Sequence, residues 1–192
     1  YMNMVGTLRY IADCTQPDIA FATNQLAKYL NDPGMEHYLA LKHCYMYLKT
    51  MNNVWLQLSS TNQSILNSYT DTDSMMQEGH CAISGYAFYL SDSLVSWSSK
   101  RQTLVANSMY EAELIALTRG TQEAIALTHL AEEILQVSDA LIDIYCNNNA
   151  VIQTVTLDEL KYSERTKHLD HKKDFIKCYI ELEYINVKYI QT

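Results

Sequence analysis

Basic residues are scarce in this chain: 14 Lys and Arg stand against 22 Asp and Glu, a formal net charge of −8. That balance excludes a protein whose whole surface grips nucleic acid by counterion release. Long apolar runs are also missing. None reaches the roughly 18 residues needed to span a bilayer. The opening Tyr1-Met2-Asn3-Met4 has no basic stretch followed by an apolar one, so neither membrane insertion nor secretion is expected. With 2 prolines, 5 glycines and no internal repeat, the chain contains no low-complexity tract. Its 5 cysteines (Cys14, Cys44, Cys81, Cys146, Cys178) are odd in number and far apart, and read as buried thiols in a reducing compartment rather than a disulfide framework.

What is present is 48% hydrophobic and 19% charged residues over 192 positions, the composition of one compact domain, or of one domain with an appended subdomain. Tyr1 as first residue, and Thr192 directly after a strand-like run, lead us to expect a piece of a longer polypeptide.

The first fifty residues read as a helical hairpin. Pro17 and Asp18 open one helix, with Ile19, Ala22, Leu26, Tyr29 and Leu30 on its apolar face. Asp32 is the expected cap of the next, with Pro33 at its first position and Tyr38, Leu41, Tyr45 and Leu48 on one face. From Val54 the period becomes two, predicting strands over 54–58, 65–70, 82–90 and 94–98, with a hairpin turn at Ser91-Asp92-Ser93. Ser108-Met109-Tyr110-Glu111 is a capping box, so a long helix follows to about residue 136, with Gly120 a weak point inside it. Leu141 to Cys146 reads as a buried parallel strand, followed by helices over 148–157 and 166–179 and a strand over 181–190. The order predicts an α/β fold, a mixed sheet covered by helices.

In such a sheet, acidic residues converge where strand ends meet a helix start. Asp71 ends the first sheet strand, Glu113 lies in the first turns of the long helix, and position 147, an asparagine, ends the buried strand. Clustered carboxylates there suit Mg²⁺, which takes hard charged oxygens and leaves sites for water and phosphate. Taken alone, such acids are more often caps and solvated rims. Six basic residues (Lys161, Arg165, Lys167, Lys172, Lys173, Lys177) fall within 161–177, either a solvated helix face or a local phosphate-binding strip.

Tyr69-Thr70-Asp71-Thr72-Asp73, Ile83-Ser84-Gly85-Tyr86-Ala87-Phe88, Val95-Ser96-Trp97-Ser98-Ser99-Lys100-Arg101-Gln102, Glu111-Ala112-Glu113-Leu114 and Arg165-Thr166-Lys167-His168-Leu169-Asp170 resemble, in this order, the ribonuclease H region of copia-type LTR retrotransposon polyproteins. Upstream, Val5-Gly6-Thr7-Leu8-Arg9-Tyr10, Pro17-Asp18-Ile19-Ala20-Phe21-Ala22 and His37-Tyr38-Leu39-Ala40-Leu41-Lys42 resemble the helical connection after the reverse transcriptase palm. The resemblance implies a ribonuclease H-like mixed five-stranded sheet over 61–192, lacking its C-terminal helix, preceded by a connection segment over 1–60. It implies cleavage of RNA in RNA/DNA hybrids with Mg²⁺ or Mn²⁺. The rest of the reverse transcriptase polyprotein is the implied partner, and the cytoplasm, in a virus-like particle, the implied location.

The resemblance also assigns residues. Asp71 and Glu113 match catalytic, metal-binding acids, and Asn147 stands where the family has a third aspartate. In the family a fourth acid lies on a helix after the last strand, which the sequence to Thr192 does not reach. Lys161, Arg165, Lys167, His168, Lys172 and Lys173 are the implied nucleic-acid contacts. An amide is isosteric with a carboxylate but neutral, so two cations are not both held and cleavage is expected to be weak or absent. Ser74, Met109-Tyr110 and Asp174 also depart from the family pattern, as in a degenerate copy. Two other functions are compatible: a non-catalytic hybrid- or RNA-binding module, and a structural or protein-interaction domain derived from the element. His168, His171, Asp170 and Asp174 have spacing that could share a metal, but without a cysteine or third histidine they read as surface or substrate contact. Tyr86, Tyr89, Tyr145 and Tyr184 are expected to pack the sheet rather than to stack bases.

Overall fold

The structure is a computed structural model describing residues 1–51, 56–58, 66–73, 81–135, 141–157 and 167–191. Its elements are α1 (Met2–Cys14), a 3₁₀ turn (Pro17–Ile19), α2 (Ala20–Ala27), α3 (Met35–Thr50), β1 (Leu66–Asp73), β2 (Ile83–Leu90), β3 (Ser93–Arg101), α4 (Met109–Leu135), β4 (Ile142–Cys146), α5 (Asn149–Thr156), α6 (Lys167–Glu181) and β5 (Ile185–Tyr189).

The first fifty residues hold three helices rather than two. Val5, Leu8 and Ala12 recur on one face of α1 and pack with Ile19, Ala20, Leu26 and Leu41. Pro17 opens the 3₁₀ turn, not a continuous helix. Nor does Asp32 cap α3. The cap is Gly34, whose N–H donates to Nδ1 of His37 at 2.9 Å, leaving Pro33 outside the helix. The helices are tied to the sheet through β3: Trp97 packs on the first cluster and its Nε1 donates to the Ala12 carbonyl at 2.8 Å, while Asn24 donates to the carbonyl of Ser99.

The expected five-stranded mixed sheet is present, in the order β3-β2-β1-β4-β5. β1 to β3 form an antiparallel meander, turned between β2 and β3 at Ser91 and Asp92, both at positive φ (48° and 66°), as a two-residue hairpin requires. β4 lies parallel to β1 and β5 parallel to β4, so the connections must cross over the sheet, and α4 and α6 make those crossings. β1 alternates strictly: Leu66, Ser68, Thr70 and Thr72 are buried, whereas Tyr69, Asp71 and Asp73 are exposed on the other face. The larger core, including Phe88, Leu114, Leu117, Ile142, Ile144 and Ile176, fills the space between sheet and helices.

Several boundaries differ from the sequence reading. Residues 56–58 are not a strand, and 54–55 and the polar run 59–63 lie outside the described residues. β1 continues to Asp73 because all its residues pair with β2. The last strand starts only at Ile185, because Leu182 and Glu183 form a turn with Glu183 at φ 60°. Tyr184 therefore precedes the strand and packs edge-on against Tyr179 and His129. Tyr69 stacks on Tyr145 across β1 and β4, with ring centroids 5.2 Å apart. Among the described residues no helix is long and apolar enough to cross a membrane.

Gly120 is the contact point between α4 and the sheet. A Cβ added there would stand 2.4 Å from Cγ2 of Thr70, a stiff β-branched side chain. Gly120→Ala gains roughly 1 kcal/mol of helix propensity but forces α4 off β1. We expect a net loss of about 1–3 kcal/mol in urea unfolding, largely recovered when Thr70→Ser removes the obstructing methyl. A more stable single variant would contradict this packing.

Candidate active site

Asp71 is the sixth residue of β1, and Asn147 follows the last residue of its parallel neighbour β4. Thr70 pairs with Cys146, so the next residue of each strand comes together where β4 ends, two residues before the end of β1. Nδ2 of Asn147 lies 3.4 Å from Oδ1 of Asp71, a long hydrogen bond, and the same oxygen accepts from the Thr72 N–H at 2.8 Å. Glu113 reaches this place from the first turns of α4.

The start of α4 is fixed twice. Ser108 Oγ accepts from the Glu111 N–H at 3.2 Å, one half of the expected capping box, and the Glu111 carboxylate accepts from the Asn107 N–H at 2.9 Å. Gln102, 2% exposed, donates from Nε2 to Ser84 Oγ at 2.8 Å and to the Ala112 carbonyl at 2.9 Å. It thereby pins β2 to the residue before Glu113. Sequence reasoning missed this positioning role; the one available signal was an uncharged amide directly after the basic end of β3.

Glu113 is 4% exposed, and its Oε2 has no hydrogen-bond partner among the described residues. Burial, and then the charge of Asp71, push its pKa up to about 7. Below the pair, the buried Cys146 thiol is pushed up to about 11, mainly by burial, with smaller contributions from Glu113 and Asp71. The two carboxylates therefore share one electrostatic environment, with the Asn147 amide beside Asp71.

An unpartnered buried carboxylate oxygen next to a second carboxylate is a place that favours a proton or a cation. Asp71 and Glu113 carry the hard oxygen donors a divalent cation takes, and the amide of Asn147 could add a neutral oxygen if it turned from its contact with Asp71. Among the described residues no three His, Cys, Asp or Glu side chains are grouped closely enough to hold a metal ion, so any cation here would depend on the Asn147 amide, water or substrate for its remaining ligands.

The basic strip is less uniform than its sequence. Lys161 and Arg165 lie outside the described residues, and Lys167 and His168 open α6. Lys172 lines a surface cleft with Arg119. The ammonium of Lys173 is engaged by Asp170 at 3.2 Å, with both side chains largely buried, and sits 5.9 Å from the Tyr110 ring centre. That ion pair also occupies the Asp170 carboxylate.

Helices ahead of a mixed five-stranded sheet of this order, with Asp71 and Glu113 brought together beside the end of β4, define the ribonuclease H-like class. No family model matches the chain. It is 34% identical over 194 residues to the retrovirus-related Pol polyprotein from transposon TNT 1-94 of Nicotiana tabacum, covering 100% of this chain and 14% of that protein. It is 37% identical over 123 residues to the secreted RxLR effector protein 161 of Plasmopara viticola, covering 64% of this chain and 87% of that protein. Among solved structures, the foamy viral protease-reverse transcriptase in complex with double-stranded DNA superimposes with a TM-score of 0.61 at 14% identity, covering 99% of this chain and 31% of that one. Its homologues are thus Pol polyproteins of copia-type transposons, and the chain spans about one seventh of the length of the tobacco relative.

The raised pKa of Glu113 sets a pH dependence. Between the ordinary value of 4.5 and about 7 the unfolded chain gives up this proton first, so Glu113's contribution to stability falls as pH rises. In metal-free buffer, Glu113→Gln should unfold like the wild type near pH 4. At pH 8 it should be more stable by roughly 3 kcal/mol. A difference that does not change with pH would contradict the burial of an ionisable Glu113.

Proposed function

We propose that the chain is the ribonuclease H region of its polyprotein, acting on the RNA strand of RNA/DNA hybrids during reverse transcription, with low activity because Asn147 replaces a charged ligand. Residues 1–60 are the helical connection segment and 61–192 the ribonuclease H-like domain. The observation that carries this reading is the unpartnered, buried Oε2 of Glu113 beside Asp71. A carboxylate in that position has no stabilising partner within the chain and becomes favourable when a cation arrives.

Asp71 and Glu113 would hold Mg²⁺ or Mn²⁺, with Asn147 contributing its amide oxygen. A divalent cation bound there polarises a phosphoryl oxygen of the substrate. Asp71, on the exposed face of β1, marks the open side from which a phosphodiester approaches; Glu113 closes the buried side. The neutral Asn147 removes one negative charge from the ligand set, which weakens cation binding and with it hydrolysis. The remainder of the polyprotein would supply the other contacts to the hybrid, and the setting would be a virus-like particle in the cytoplasm.

A second reading has its own support. Nδ2 of Asn147 gives Asp71 a donor within the chain, so half of the site is satisfied without metal. That suits a module that binds hybrid or RNA without cleaving it.

A hybrid-cleavage assay with Mg²⁺ and Mn²⁺ separates these readings. Asn147→Asp should raise cleavage roughly 10- to 100-fold over the wild-type chain, and Asp71→Asn should abolish it in either background. Robust wild-type cleavage lost in Asp71→Asn would overturn the claim of impairment. Inert Asn147→Asp protein that still binds hybrid would favour the non-catalytic module.

A further inference from the structure

Arg119 is the one Lys or Arg in α4, and its side chain is half-buried. A guanidinium withdrawn from water is normally matched by an anion. Although the chain has 22 acidic residues, none pairs with Arg119 among the described residues. Across a cleft of about 200 Å³ it is faced by Lys172 of α6, and no acidic residue is among the described residues lining that cleft. Buried Gln102 lies at its base, and the exposed Thr103 and Gln122 at its rim. Thr118 is excluded as a donor to a ligand, because its hydroxyl already donates to the Leu114 carbonyl at 2.7 Å.

The position separates this cleft from the carboxylates. Arg119 follows Glu113 by six residues, about 9 Å along the helix and about 120° around it, so the two side chains leave α4 on different faces. Arg119, Lys172, the Thr103 hydroxyl and the Gln122 amide, around a concavity with no acid among its described lining residues, form a set of donors for a tetrahedral oxyanion. A guanidinium can grip two of its oxygens in parallel, with an ammonium acting as a point charge on another. In a chain of net charge −8 any grip on a polyanion must be local, and a concave cationic surface focuses the field where it is needed.

We propose that the Arg119–Lys172 cleft is a phosphate site for a nucleic-acid backbone, gripping the strand on the outer face of α4 independently of any metal at Asp71 and Glu113. This rests on the reading that the chain binds RNA/DNA hybrid. It adds the chemical group that is gripped and a residue, Arg119, outside the 161–177 strip.

The test is fluorescence anisotropy of a labelled RNA/DNA hybrid with the full chain in EDTA over a salt series. Arg119→Gln should weaken binding about tenfold at low salt and make the slope of log affinity against log salt shallower by about 0.9. Lys172→Gln should act in the same direction, whereas Lys49→Gln on exposed α3 should leave both unchanged. Unaltered melting of the variants shows that folding is intact, and Arg119→Lys should restore only part of the affinity. Equal slopes for the wild type and Arg119→Gln, with binding retained, would overturn the cleft and leave the proposed function standing. Failure of the wild type to bind hybrid would overturn the proposed function and the backbone assignment together. A second arm, the ¹⁵N shift of Arg119 Nε against inorganic phosphate and against chloride at matched ionic strength, reads the cleft itself. A shift with phosphate alone, together with absent hybrid binding, would reassign it to free phosphate. No shift with phosphate and no effect of Arg119→Gln would remove the site altogether.

Discussion

The close seating of α4 on β1 is the constraint from which the candidate site follows. Gly120 lets the helix approach until there is no room for a Cβ beside Thr70. About two turns earlier the same helix carries Glu113 into a buried position near Asp71, and Gln102 fastens that end to β2. A carboxylate forced into such a place, with one oxygen unpartnered, cannot be indifferent to protons and cations. Backbone packing thus sets the electrostatics, and the electrostatics set the chemistry the site can support.

Much of this was legible in the sequence because it rests on short-range signals. The capping serine, Ser108, locates the start of α4, the apolar run 141–146 locates β4, and strand ends beside a helix start place Asp71, Glu113 and Asn147 at one edge. The errors lie where tertiary contacts override local preference. Asp32-Pro33 has the form of a helix start, yet His37 reaches back to Gly34 and moves the cap. Gly120 looks like a weak point in a helix when only propensity is considered, and its reason is a methyl group on a strand fifty residues earlier. Lys173 belongs to a basic strip by sequence and to a buried pair with Asp170 by structure. Arg119 stands alone in its helix, so no charge run could draw attention to it.

Charge organises the molecule at two scales. The chain as a whole is acidic, which keeps non-specific attraction to nucleic acid low. Local features act against that background: two acids at the ends of β1 and α4's first turns, and two cations across a cleft on the outer side of α4. The N-terminal helices are fastened to the sheet through Trp97 and Asn24, so they extend the surface on the β3 side without touching the carboxylate edge through those contacts.

We propose that Asp71, Glu113 and a neutral Asn147 make a site for one divalent cation and not two. Counting bound Mn²⁺ by electron paramagnetic resonance, with a non-cleavable hybrid present, tests it most directly. The wild-type chain should saturate at no more than one weakly held ion per chain, lost in Asp71→Asn, and Asn147→Asp should bind more tightly. Two ions held by the wild-type chain, or binding that survives Asp71→Asn, would contradict it.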